Sequence, residues 1–430
     1  MSMLQREEAL KVARGIVGRS QADETEVVLE STAERFVRFA DSGPTQNADR
    51  VRHQVAIRAR VRAEDGWQEG KATVDGLGEE GIEAALARAL DLARVAPPNP
   101  DLGPLEGGFE GMQELGHMAL DEATLDHSFA QKAEWVKVAL ALCSERKLAP
   151  AGLVTTAGNS LTVVNSAGRE VHDARSRAGL SLTASSMQAG GGSGFAEGLS
   201  FQAGALDAEA IFARSVGKAV QNSKPVAIDP GAYTVLLEPS AVSSILLFAS
   251  YRGFGAQEVH EKSSFLCGRI GKQVFPTFLS ISDQVDNGQL PGFAMDYEGS
   301  PKRDVELIRE GVLQGPVTDS DWARKLSVPN TGHALPKPSP EGPMALNLVV
   351  TEGESSVQEL IAGIDRGLVV TQFHYSNLID PKDLLLTGMT RNGTFLVEHG
   401  EVVGAVKNLR FTESLVNAFQ NLSGLSRERE

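Results

Sequence analysis

Apolar positions recur at helical spacing over residues 3–17. They give way to short β-branched and aromatic runs at Val27-Val28-Leu29 and Phe36-Val37-Arg38-Phe39, which predict strands. An alternating pair over 51–62 and 66–75 brackets a turn at residues 63–66, and Ile82, Ala85, Leu86, Ala89 and Ala93 return to helical spacing across 78–95. The run from Pro97-Pro98-Asn99-Pro100 to Gly107-Gly108 breaks all periodicity. Residues 1–96 are therefore expected to form a first α/β unit and 97–114 a linker. A helix over about 130–148 sets Trp135, Val138, Ala139 and Leu142 on one face, strands over 161–165 and 169–186 flank the turn Ser166-Ala167-Gly168, and a further helix covers about 207–221. This is a second α/β unit, 115–224, ending near Lys224-Pro225.

Beyond residue 225 the pattern changes to short strands, predicted over 233–237, 278–283, 303–310, 345–350, 394–398 and 402–411, with Glu310-Gly311 and His399-Gly400 at hairpin turns. Two helices interrupt them. Ser240 is placed to cap one that carries Val242, Ile245, Leu246 and Ala249, and Ser356 with Glu359 forms a capping-box pattern ahead of Leu360, Ile361 and Ile364, with Gly367 as the stop. The expected class is α+β, with an N-terminal α/β region of two helix-and-sheet units followed by a β-rich C-terminal domain, 225–430, holding a few helices. No internal repeat is visible in the residues.

Composition narrows the function classes. The 430 residues are 41% hydrophobic and 23% charged, as in ordinary globular chains. A net charge of −15 argues against gripping a nucleic-acid backbone, which Lys and Arg must neutralise. Cys143 and Cys267 are the only cysteines, too few for a disulfide framework or a four-cysteine zinc site. Residues 1–8 lack a basic segment followed by an apolar run, and no stretch reaches 18 uninterrupted apolar residues, so the expectation is a cytoplasmic protein without membrane contact.

Candidate chemistry is sparse. His260-Glu261 invites a zinc-peptidase reading, but the next-turn positions are Ser264 and Phe265, which supply no second ligand. His333, in Asn330-Thr331-Gly332-His333-Ala334, and His374, beside Tyr375, are candidate substrate contacts or bases, and Tyr375, Asn377 and Arg391 form a polar neighbourhood near strand ends suited to peptide contact. Gly190-Gly191-Gly192-Ser193-Gly194 lacks the lysine and hydroxyl of a phosphate loop and reads as a flexible connection.

Three segments carry a family likeness: Ser263-Ser264-Phe265-Leu266-Cys267-Gly268-Arg269-Ile270-Gly271, Asp365-Arg366-Gly367-Leu368-Val369-Val370-Thr371, and Gly388-Met389-Thr390-Arg391-Asn392-Gly393-Thr394-Phe395. Together with Asp229-Pro230 and Thr331-Gly332-His333 they resemble the TldD/PmbA family, once called modulators of DNA gyrase. The likeness is strong over about 225–420 and weaker, in the expected order, before it. It implies a cytoplasmic dimer in which one subunit bears an HExxxH zinc helix, a PmbA- or TldE-like subunit does not, and the pair cleaves unfolded or extended peptides.

Counting back from Gly268 puts the motif helix at Leu247, Phe248 and Arg252, in place of the metal-binding His and Glu and near the second His. No cysteine follows Cys267. The resemblance thus implies a non-catalytic subunit that needs no cofactor of its own. Zinc would sit on a TldD-like partner, and an extended peptide would add to a sheet edge. A second copy of this chain is the other partner considered. Two alternatives stay open: a homodimeric hydrolase using His333, His374 and Asp283, Asp286 or Asp296, and a peptide-binding regulator, for instance of a toxin–antitoxin system.

Overall fold

The computed structural model describes residues 3–112, 119–188, 190–337 and 339–429. Its N-terminal half runs α1 (Arg6–Arg19), β1 (Glu24–Ala40), β2 (Gly43–Ala63), β3 (Gly66–Asp75), α2 (Glu79–Val95), α3 (Glu122–Leu125), α4 (Phe129–Glu145), β4 (Leu148–Asn165), β5 (Glu170–Ser186), β6 (Ser193–Ser200) and α5 (Ala208–Gln221). The two expected units share one antiparallel sheet of order β3-β2-β1-β4-β5-β6. Its centre is β1 against β4, paired from Glu26↔Asn165 to Ala40↔Ala151. The linker's described part lies along this sheet: Asn99 bonds Trp67 in both directions, and Asn165 donates to the Glu106 carbonyl. Residues 113 and 114 of the linker and 115–118 of the second unit lie outside the described residues.

β1 is one strand where two short ones were expected. Its polar middle, Ser31-Thr32-Ala33-Glu34-Arg35, is paired on both sides, so neighbouring strands satisfy the backbone without an unbroken apolar run. Side-chain alternation then divides the sheet cleanly. Val27, Leu29, Val55, Ile57 and Ala59 pack with α1 and α2, and Val37, Phe39, Val154, Leu180 and Leu182 pack with α4 and α5. The residues between them, Glu26, Val28, Glu30, Arg58 and Arg60, point to the opposite face. There Tyr297 donates to Glu30 at 3.2 Å, Met295 joins Leu161, Val163 and Val171, and Arg169 donates to the Glu298 carbonyl at 2.8 Å.

The C-terminal half contains β7 (Thr234–Leu237), α6 (Pro239–Arg252), α7 (Ala256–His260), β8 (Ile281–Asp283), β9 (Val305–Arg309), β10 (Val312–Leu313), α8 (Ser320–Leu326), β11 (Leu348–Val350), α9 (Val357–Ala362), β12 (Arg366–Asp380), β13 (Leu385–Glu398), β14 (Glu401–Ala405), β15 (Arg410–Ser414) and α10 (Leu415–Gln420). One sheet has the order β10-β9-β8-β11; the other runs β14-β13-β12-β7, with β15 also on β13. Phe254, Phe265, Leu266, Leu279, Leu307, Leu313 and Leu386 form the core of this half. The chain is α+β.

Several local expectations are corrected. α6 starts after Glu238 with Pro239 in its first turn, a ring already fixed at helical φ, while Ser240 donates to Glu197 instead of capping. The capping box at Ser356 and Glu359 forms, but α9 ends at Gly363, and Gly367 lies inside β12, where a side chain would strike the Thr234 carbonyl. β12 itself was read only as a motif. The run 402–411 divides into β14 and β15.

The glycine run is not a free loop. Ser193 and Gly194 open β6, and a Cβ on Gly194 would overlap the Ser215 carbonyl oxygen and Ala219 N of α5. Gly194→Ala is therefore expected to lower stability by about 1–3 kcal/mol in denaturant unfolding. Gly204→Ala, which meets nothing within 4 Å, should leave it nearly unchanged. Equal effects would refute close α5–β6 packing as the reason for the glycine.

Candidate functional site

α6 carries the positions where the resemblance calls for metal ligands. Leu247 is 59% exposed, Phe248 rests on the core of the C-terminal half, and Arg252 reaches Glu258 Oε1 at 3.6 Å with its guanidinium over the Tyr251 ring. Burial raises the pKa of Glu258, with Arg252 pulling it back. Two hydrocarbon side chains and a cation offer zinc no lone pair, so these residues do not fit the ion. Among the described residues, no group of three or more His, Cys, Asp or Glu is placed to hold a metal.

His374, Tyr375, Asn377 and Arg391 lie where the β12–β13 ladder is interrupted. Its register jumps three times, between Val370 and Gln372, between His374 and Asn377, and between Leu378 and Asp380. The first two bulges use left-handed residues: Asn392 (φ 58°) and Gly393 (φ 127°) on β13, and Tyr375 (φ 51°) on β12. Left-handed tyrosine is costly, and such strain gathers where a side chain has to be re-aimed. Tyr375 is turned out to 76% exposure, with its ring centroid 4.2 Å from that of His374. Arg391 Nη1 lies 2.9 Å from His374 Nε2, so the arginine donates and the imidazole accepts. Asn377 is exposed two residues beyond Tyr375 and pairs with Thr387.

This cluster sits beside an open edge. β7 covers β12 only from Gly367 to Val370, in parallel, so among the described residues 371–380 has a ladder partner on one side alone. The same bulges reach the N-terminal sheet: Ser193 of β6 donates to Asn392 Oδ1 at 2.8 Å, and Asn392 Nδ2 donates to Gln372 Oε1 at 2.8 Å. Gln372, Asn392 and Ser193 were not singled out from the residues. The pair Asn392-Gly393, well suited to a left-handed bulge, was the available signal.

His333 is elsewhere, and its expected place at a peptide-contacting site is corrected. It is 3% exposed, with Nδ1 at 2.9 Å from the Thr331 carbonyl and Nε2 at 3.2 Å from Asp283 Oδ1. Lys302 Nζ stands 2.8 Å from the same carboxylate oxygen, and Asn347 N donates to the other. Burial lowers the pKa of His333 against the pull of Asp283. For Asp283, burial acts upward but is outweighed by His333 and Lys302, which hold the carboxyl well below the usual range. This is an internal tie between β8 and the 302–333 segment.

The other acids do not join either histidine in a common site. Asp296 accepts from the backbone of Glu298, Ser300 and Ala334, and burial beside Glu298 raises its pKa. Asp286 accepts from Gly288 in an exposed turn. His260 lies against Trp322, with ring centroids 5.3 Å apart. Gly191 and Gly192 spend their N–H groups on Gln188 and Asn222, so they offer no phosphate cradle.

A helix-covered sheet joined to a bulged β platform defines the class before any name. TldE from Thermococcus kodakarensis has this fold, with a TM-score of 0.84 over 98% of this chain and 94% of that one at 19% identity. A chain from Thermotoga maritima described as a candidate modulator of a DNA gyrase gives 0.80 over 92% and 89% at 22% identity. At these identities the likeness is one of fold. The family follows from the sequence: the PmbA/TldA metallopeptidase central domain matches residues 123–223 and the C-terminal domain of the same family matches 230–430. The chain belongs to the PmbA/TldD metallopeptidase family.

Among curated relatives, the metalloprotease TldD homolog of Haemophilus influenzae is 26% identical over 227 residues, 51% of this chain and 46% of the relative. The metalloprotease PmbA homolog of the same organism is 28% identical over 199 residues, 46% of this chain and 41% of the relative. The matches span less than half the length of either. No helix among the described residues is long and apolar enough to cross a membrane.

The Asp283 tie has a testable pH signature. A carboxyl held below its ordinary 3.8 adds stability that is present above that value and lost as pH falls through its folded pKa. Lys302→Met leaves Asp283 buried with a neutral neighbour in place of its cation. It is expected to cost about 3–5 kcal/mol at neutral pH and to shrink the acid-side loss in denaturant titrations. An unchanged acid limb would show that the pair does not set it.

Proposed function

We propose that this chain is a non-catalytic PmbA/TldE-like subunit. In this reading it pairs with a TldD-type subunit whose HExxxH helix holds zinc and completes that partner's cleft for degrading or maturing extended peptides. The reading is supported by α6, inside a family-matched C-terminal domain: the resemblance puts the motif at Leu247, Phe248 and Arg252, side chains that offer zinc no ligand. The partner's zinc would supply the polarised water and carbonyl. This chain's residues would bind and orient.

The open edge at 371–380 supports how. An extended chain laid along it gains main-chain hydrogen bonds whatever its sequence, as edge-strand recognition requires. Arg391, held by His374, offers its remaining donors to peptide carbonyls or acidic side chains, and Tyr375 and Asn377 flank the same stretch. A cytoplasmic setting and the absence of direct nucleic-acid binding belong to the proposal; the −15 charge supports the latter. The hydrolase alternative finds no support in the enclosed His333. A second copy as partner and a stand-alone peptide binder remain as outcomes of the test.

The chain is purified alone and with an HExxxH-bearing homologue, and complex mass, zinc content and peptidase rate on an unfolded peptide are measured. The expected result is no turnover by the chain alone, a complex with the homologue, and a higher rate in the complex. Arg391→Ala should raise KM several-fold with less effect on kcat, since it removes substrate binding. Turnover by the chain alone with one bound zinc would overturn the reading. Self-association without effect on the homologue would favour the second copy, and peptide binding without either would favour the regulator.

A further inference from the structure

The segment Ser263–Gly271 was conspicuous in the sequence, yet neither α6 nor the bulged platform uses its charged residue. Arg269 is presented by a loop whose glycines 268 and 271 are both left-handed, with φ 71° and 77°. It lines a cavity of about 340 Å³ with Asp380, Asp383, Leu385, Ser414, Val416, Asn417 and Gln420. This cavity lies at the end of β12, against α10; Asp380, the last residue of the stretch 371–380, lines it, while His374, Tyr375, Asn377 and Arg391 do not.

The guanidinium is underused. Arg269 is partly buried, its side chain 37% exposed; Nη2 makes a long 3.5 Å contact to Asp383 Oδ1, and Nη1 is buried without a hydrogen-bond partner. Nη2, with only that long contact, has donor capacity left for a carboxylate, and guanidinium–carboxylate hydrogen bonds are the strong, charge-assisted kind. A simple anion would also face Asp380 and Asp383, however, and a simple cation would face Arg269. One small ligand answers both signs: a carboxylate on Arg269 with an ammonium group toward the two aspartates. Leu385 and Val416 supply an apolar wall for a side chain, and the volume is at the small end of ligand pockets.

We propose that this cavity binds a zwitterionic amino acid or dipeptide, recognised by Arg269 through the carboxylate and by Asp380 and Asp383 through the ammonium. The site is independent of the subunit reading, and its test needs no partner. Leucine and alanyl-leucine are titrated into the full chain by calorimetry, with N-acetyl-leucine and leucinamide as single-charge controls. The expected result is saturable binding of one or both zwitterions, each control weaker by on the order of tenfold, and a comparable loss in Arg269→Gln. Asp380→Asn should weaken the zwitterions but not N-acetyl-leucine. Thermal melts check that both variants stay folded. The proposal is overturned by no saturable binding of either zwitterion, by N-acetyl-leucine binding as tightly as leucine, or by unchanged affinity in folded Arg269→Gln.

Discussion

A sheet has two faces, and the four long helices of the N-terminal half cover only one of them. Everything else in the molecule is arranged around covering the second. That face carries charge: Arg58 meets Glu26 at 2.6 Å and Arg60 meets Glu69 at 2.7 Å, both arginines almost fully enclosed. Charges so placed are tolerated only when paired and hydrogen-bonded. The C-terminal half provides the lid and continues the pairing outward, with Lys337 set among Glu298, Asp319 and Asp321. The two halves are joined where Arg169 donates to the Glu298 carbonyl and Ser300, Tyr297 donates to Glu30, Lys218 pairs with Glu238 and Met295 packs on the sheet, while the bulged platform meets β6 through Ser193 and Asn392.

How much of this was legible depended on the range of the signal. α2 and α5 were readable because their apolar positions recur within a turn or two, and the turns at Glu310-Gly311 and His399-Gly400 because glycine chemistry is local. The union of two units into one sheet was not, since the β1–β4 ladder joins residues far apart in sequence and its middle is polar. Neither was the element order α-β-β-β-α, which occurs twice, once from α1 to α2 and once from α4 to α5. Pairing geometry repeats there without repeating residue types.

The candidate site divides the same way. His374, Tyr375, Asn377 and Arg391 lie near one another in sequence or across one hairpin, but inside β12 and β13 and not at the strand ends expected. The bulges that turn Tyr375 outward could not be read, because they arise from register. His333 misled because its sequence neighbours are small and polar, as in a loop at a cleft, while its partners Asp283 and Lys302 arrive from other strands and enclose it.

One feature of the C-terminal sheet bears on how the chain is made. β7 is synthesised well before its parallel partner, residues 367–370 of β12, which follows four strands and four helices later. During translation β7 and the apolar side of α6 wait without their neighbour, so this sheet is a late, slow closure and an exposed period for aggregation. The N-terminal sheet has its own partners already delivered by then and can stand folded beside the emerging chain. Biogenesis therefore has a direction, with the finished half serving as the surface on which the unfinished one condenses.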